Sequence, residues 1–109
     1  MTADAVGEVL AALADPTRRQ LLDRLAVAGA ASATALAREV PVTRQAVTQH
    51  LAVLDAAGLV RPRRAGREVR YALLPDRLTE AAAWMNALAA RWDDRLARIA
   101  AIAEGRDEA

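Results

Sequence analysis

The chain offers little of the chemistry on which enzymes depend. Its only serine, Ser32, and its only histidine, His50, lie eighteen residues apart in segments that read as separate helices. It has no cysteine, which excludes disulfides, thiolate nucleophiles and cysteine-ligated metals. All fifteen of its basic residues are arginine, so Schiff-base chemistry and lysine-dependent phosphate loops are excluded as well. A Ser–His–Asp site would have to be assembled from Ser32 and His50, and a lone histidine makes a poor metal site. No catalytic residue, metal or cofactor is expected. What the chain does hold is guanidinium, a planar fork that pairs bidentately with phosphate and with guanine edges.

Those arginines are unevenly placed. The net charge is only +1, yet residues 41–74 hold six arginines against Asp55 and Glu68, a net of +4. The other nine arginines face twelve acidic residues, a net of −3. One contiguous third of the chain is therefore basic and the rest acidic, the asymmetry of a local polyanion-binding surface.

The elements that must position these groups follow from periodicity and punctuation. Val6, Val9, Leu10 and Leu13 predict a first helix over 4–14. Asp15 as cap and Pro16 in the first turn start a second, with Leu21, Leu22 and Leu25 on its apolar face and Gly29 as its stop. Ser32 caps a third through Glu39, broken at Val40-Pro41-Val42. Thr43 caps a fourth that runs to Ala57, ended by Gly58. Residues 59–64 and 68–74 read as two strands around Ala65-Gly66. Val69, Tyr71 and Leu73 point to one face of the second strand and Arg70 and Ala72 to the other, a β-hairpin with one buried face. After Pro75-Asp76 a long helix is expected over 77–103. The fold class is thus mainly α with a β-hairpin wing: a winged helix-turn-helix of five helices, in one domain over 1–109.

The fourth helix divides by face. Val47, Leu51 and Leu54 stack on one side as core. Gln45, Thr48, Gln49 and Ala52 gather opposite, flanked by Arg44, with no acid among them. Gln pairs bidentately with adenine, Arg with guanine, and Thr meets a base edge or a thymine methyl. His50 falls at the edge of the apolar face, as a semi-buried packing residue or a phosphate contact. In the hairpin, Arg61, Arg63, Arg64, Arg67 and Arg70 are balanced only by Glu68. Arg63, Arg64 and Arg67 cluster near the tip, within reach of a DNA backbone or a narrow minor groove. The expected DNA-binding set is Thr43, Arg44, Gln45, Thr48, Gln49, His50, Arg63, Arg64, Arg67 and Arg70, and the expected partner is double-stranded DNA.

A family pattern runs through these residues. Leu13-Ala14-Asp15-Pro16-Thr17-Arg18-Arg19, Thr43-Arg44-Gln45-Ala46-Val47-Thr48-Gln49-His50-Leu51-Ala52-Val53-Leu54, Ala57-Gly58-Leu59-Val60, and Gly66-Arg67-Glu68 with Tyr71 and Leu73 closely resemble the ArsR/SmtB family of bacterial regulators. The resemblance implies a homodimeric winged helix-turn-helix that represses promoters. It implies that the matching polar positions of 43–50 and the hairpin arginines contact DNA. Founding members sense metals through Cys in the third helix or Asp/His/Glu sets in the last. Here the third helix reads Ala33-Thr34-Ala35-Leu36-Ala37-Arg38-Glu39 and the last has no His, so metal-independence is expected. Trp84, Trp92 and Arg95-Leu96 resemble instead a Trp-containing, metal-independent subgroup often encoded beside START-like hydrophobic-ligand-binding proteins.

The last helix carries its own signal. Leu78, Met85, Trp92 and Ile99 recur every seven residues, with Ala81, Leu88 and Ile102 at the d-like positions and Leu96 beside the interruption at Arg95. Val6, Leu10 and Leu13 of the first helix complete an expected dimer interface, so residues 1–14 and 76–103 are the dimerisation helices. Alanine fills 29 of the 109 positions, and a core this thin favours burial against a second copy. The two tryptophans could instead line a pocket for an unknown small-molecule effector. No apolar run reaches the roughly 18 residues a membrane span needs, and the N-terminus lacks a signal peptide's pattern. A cytoplasmic protein is expected. A protein-interaction module docking acidic partners through the wing is the rival reading.

Overall fold

Each junction of the chain is set by a residue whose side chain or backbone can do what the turn demands. The computed structural model describes residues 3–105; residues 1–2 and 106–109 of the expected 1–109 domain lie outside the described residues. Helix α1 spans Ala3–Leu13 and α2 spans Pro16–Ala28. Between them Asp15 caps α2, its carboxylate accepting from the backbone N–H of Thr17 at 2.8 Å and of Arg18 at 3.2 Å. Gly29 ends α2 at φ +82°, donating to the Leu25 carbonyl at 2.8 Å. A short strand, β1 (Ala30–Ser32), leads into α3 (Ala33–Ala37), which Ser32 caps by accepting from Ala35 N–H at 3.1 Å.

Helix α4 (Arg44–Ala56) is followed by β2 (Val60–Ala65), β3 (Glu68–Leu73) and α5 (Asp76–Ala103). The exit from α4 sets where the hairpin points. Leu59 N–H donates to Leu54 O and Gly58 N–H to Asp55 O, both at 2.9 Å, with Gly58 at φ +76°. This is a Schellman closure, which needs a residue free of the Cβ penalty. Leu54 and Leu59, its apolar pair, are fully buried.

The sheet has the order β1-β3-β2, antiparallel throughout. The expected hairpin is therefore one strand wider than its sequence pattern: Ala30, Ala31 and Ser32 pair with Ala72, Tyr71 and Arg70. Below it one core joins all five helices and β2. Val9, Leu21, Leu25, Leu36, Val47, Leu51, Leu54, Leu59 and Val60 are its largest fully buried side chains. Among the described residues no polar or charged side chain is buried.

The expected dimer residues divide: within the single chain Val6 is only 6% exposed, and the partly buried Leu13 and Leu78 also pack against the core. Heptad spacing identifies an apolar face without saying which neighbour covers it. The hairpin's apolar face is likewise covered only at its base: Tyr71 and Leu73 pack on the core, whereas Val69 stands exposed because the strands outrun it.

Helix α5 also outruns the body. At about 1.5 Å per residue its 28 residues measure roughly 42 Å, and only its first turns, through Leu78 and Ala81, meet the core. The radius of gyration is 19.6 Å, against about 13 Å for a compact chain of 100 residues.

Candidate nucleic-acid interface

The geometry of α4 begins with its cap. Thr43 Oγ1 accepts from Ala46 N–H at 3.1 Å, starting the helix directly at Arg44. Val47, Leu51 and Leu54 are buried at 0% exposure and lock the helix's rotation. That lock turns Arg44, Gln45, Thr48, Gln49 and Ala52 outward, all of them exposed. Thr48 Oγ1 donates to the Arg44 carbonyl at 3.0 Å. Its hydroxyl hydrogen is thus spent on its own helix, leaving lone pairs and a methyl to meet a ligand.

The wing stands beside this face. Its turn places Gly66 at φ +64° ahead of Arg67, an arrangement of the type II′ kind that favours glycine first. The register then sorts the arginines, because directly paired residues of antiparallel strands share a face. Arg64 pairs with Val69 and Pro62 with Tyr71, while Arg63 pairs with Arg70 and Arg61 with Ala72. Val69 and Tyr71 line a cleft of about 380 Å³ with Arg44 and Thr48 of α4, Arg67 of the turn and Thr34 of α3. Arg64 therefore lies on the strand face turned to α4, and Arg63 and Arg70 lie on the other.

Ion pairing divides the arginines differently, since Arg63 and Arg70 share a face but only Arg70 has an acidic partner. Arg70 is held by Glu68 at 3.2 Å, with both side chains about half exposed. Arg63, Arg64 and Arg67 have no acidic partner among the described residues. Thr34 and Tyr71 line this cleft and are not in the expected DNA-binding set. Thr34 follows the Ser32 cap by two residues, a spacing that would have placed it at the mouth of the helix-turn-helix.

His50 departs from the rest of the expected set. It is half-buried on the side of α4 that faces α2, with its Nδ1 3.4 Å from Nη1 of Arg18. That position is the semi-buried alternative and does not belong to the outward face of Gln45 and Gln49.

The second exposed surface is apolar. Beyond Ala81, the side chains of Trp84, Met85, Leu88, Trp92, Leu96, Ile99 and Ile102 are all exposed, Trp92 by 57% and Ile102 by 76%. Leu10 of α1 is half-buried. Helix α1 packs against α5, so the two expected dimerisation helices form one unit. Among the described residues no three His, Cys, Asp or Glu side chains gather as a metal site, and no helix is long and apolar enough to cross a membrane.

Known proteins share this pattern. Residues 13–63 match the family profile described as a helix-turn-helix domain. The HTH-type transcriptional regulator Rv2034 of Mycobacterium tuberculosis is 52% identical over 64 residues, a stretch covering 59% of this chain and 59% of that relative. The HTH-type transcriptional regulator CmtR of Mycobacterium bovis is 40% identical over 81 residues, 74% of this chain and 68% of the relative. Among solved structures, an ArsR-like transcriptional regulator from Rhodococcus sp. RHA1 superposes with a TM-score of 0.81. It is 42% identical, over 92% of this chain and 93% of that one. The homodimeric winged helix-turn-helix DNA-binding domain of Mb0332 from Mycobacterium bovis, a possible ArsR-family regulator, gives 0.65 at 30% identity, over 79% and 80% of the two chains.

Proposed function

This chain belongs to the ArsR family of winged helix-turn-helix transcriptional regulators, and we propose that it is a repressor that reads a two-fold symmetric operator as a homodimer. One observation carries the proposal. The outward face of α4 is polar and free of acid, and its Arg44 and Thr48 share one cleft with Arg67 of the wing turn, in a chain that buries no polar side chain among its described residues. Its relatives are named as transcription regulators, not enzymes.

In this reading Arg44, Gln45, Thr48 and Gln49 meet base edges in the major groove, where each base pair presents a distinct pattern of donors and acceptors. Thr43 and the N-terminus of α4 approach the backbone. Arg64 and Arg67 hold phosphates on the same side, and Arg63 reaches the flanking backbone from the other face of the hairpin. Arg70, paired with Glu68, contributes least. Residues 32–57 are the helix-turn-helix and 59–74 the wing. Residues 1–14 and 76–103 dimerise, with the row from Met85 to Ile102 as the seam. The homodimeric state of the Mb0332 domain supports that pairing. A DNA target in a bacterial-type regulator supports a cytoplasmic location. Control is metal-independent, and a small apolar effector would meet Trp84 and Trp92 on this face.

The test is selection of duplexes from a random-sequence pool by the purified protein, followed by sequencing. An inverted repeat with half-sites centred about 34–36 Å apart, or a multiple of that, is expected. A pool with no enriched motif would remove the base-reading role.

A further inference from the structure

We infer that Arg18 is a positioning residue for DNA reading, holding α4 through His50 at a fixed angle to the dimerisation helix α1. The inference rests on α4 being the reading helix. Its basis is a single guanidinium that touches three elements. Arg18 Nε donates to the Ala12 carbonyl at 2.7 Å and Nη2 to the Ala11 carbonyl at 3.2 Å. Nη1 lies 3.4 Å from His50 Nδ1 and 3.8 Å from Asp15 Oδ2. The Arg18 side chain is only 17% exposed.

The first two contacts have a local explanation. The last carbonyls of a helix lack intrahelical partners, and a cation there also meets the negative end of the helix dipole. The His50 contact has no such explanation, because α1 is capped and α2 is started without it. It joins the far side of α4 to the end of α1 through a rigid planar fork, which an ammonium could not do at three points. Arg18 Nη1 can only donate, so the tie needs the tautomer of His50 in which Nδ1 accepts.

His50 adjoins Gln49, so the tie sets the tilt of the residues that meet bases. Base contacts are bidentate and geometric, whereas phosphate contacts tolerate a shifted helix. Loss of the tie should therefore lower discrimination more than total affinity.

The experiment compares two duplexes: one selected by the wild-type protein from a random pool, and one with its sequence scrambled. His50→Leu fills the half-buried position with an apolar side chain and removes the acceptor. Its selected-over-scrambled affinity ratio is expected to fall roughly tenfold, the scale of one lost base contact, with no loss in thermal midpoint. His50→Asn places Oδ1 where Nδ1 stands and is expected to keep the ratio within about threefold of wild type. Arg18→Met should match His50→Leu in ratio, although it also uncaps α1. A wild-type ratio in His50→Leu, or equal losses in the Leu and Asn variants, would overturn the inference alone. Failure of the wild-type protein to prefer any duplex would overturn the reading beneath it as well.

Discussion

Helix α4 and the distal half of α5 are both amphipathic, yet only α4 has buried its apolar side. Val47, Leu51 and Leu54 lie at 0% exposure under α4, whereas Trp92 and Ile99 on α5 are more than half exposed. The outward face of α4 is polar, so it is stable in water and free to meet a ligand. The outward face of α5 is apolar over a length that its own domain cannot cover. In the proposed reading, the difference separates a finished surface that meets DNA from an unfinished one that a second copy covers.

The largest effect should come from breaking the unfinished surface. Leu88 is 46% exposed and outside the core, so Leu88→Asp should leave the fold intact and split the dimer. Analytical ultracentrifugation should then find monomers, with Trp84 and Trp92 emission shifted to the red. Affinity for the selected duplex should fall by about two orders of magnitude, the scale lost when two linked binding events become one. An unchanged sedimentation coefficient would remove α5 from the interface.

Next in size are the base readers. Gln45→Ala or Gln49→Ala should cost about tenfold on the selected duplex, within the 1–3 kcal/mol of a good bidentate contact, and little on a scrambled one. Equal loss on both would reassign those residues to the backbone.

Smaller again are the wing arginines. Arg64→Ala and Arg67→Ala should weaken all sequences alike and flatten the dependence of log affinity on log salt by about one unit each. Arg70→Ala should change that slope less, because Glu68 already balances its charge. A change in Arg70→Ala as large as in Arg64→Ala would mean that Glu68 does not hold Arg70 back from DNA.

The smallest expected effect lies in the frame that both surfaces share. The Asp15 carboxyl is held below its ordinary value chiefly by the Arg18 backbone N–H; desolvation, the next-largest effect, opposes this, and the Thr17 backbone N–H and the nearby His50 and Arg18 charges lower it further. A depressed folded value adds stability above the unfolded value of 3.8 and loses it as pH falls through the folded one. Asp15→Asn, which can still cap, should therefore melt below wild type at pH 7, and the gap should close below pH 3.8 as the carboxyl protonates. A gap that persists in acid would mean that the charge contributes nothing.

Much of this arrangement is legible in the sequence because local chemistry and tertiary packing agree. Asp15-Pro16, Thr43 and Gly58 mark helix boundaries that the observed elements meet to within a residue or two. The stripe of Val47, Leu51 and Leu54 names the buried face of α4. Strand β1 is not legible: Ala30-Ala31-Ser32 has no alternating pattern, and pairing with β3 alone makes it a strand. Val6 and Leu78 show the other limit, since periodicity marks a face as apolar without identifying the surface against it. His50 lies on the boundary between α4's two faces. In the fold it meets Arg18, thirty-two residues away, a contact that no local pattern in the sequence announces.

In the proposed dimer, α5 fixes two reading helices at one separation. The direct measurement is affinity for the selected inverted repeat against the same duplex with five base pairs inserted between its half-sites. A rigid dimer should lose the gain of its second half-site and bind the lengthened duplex no better than a single half-site, because half a helical turn carries one site to the opposite side of the DNA. Equal affinity for the two duplexes would mean that each copy reads alone, and would contradict the account.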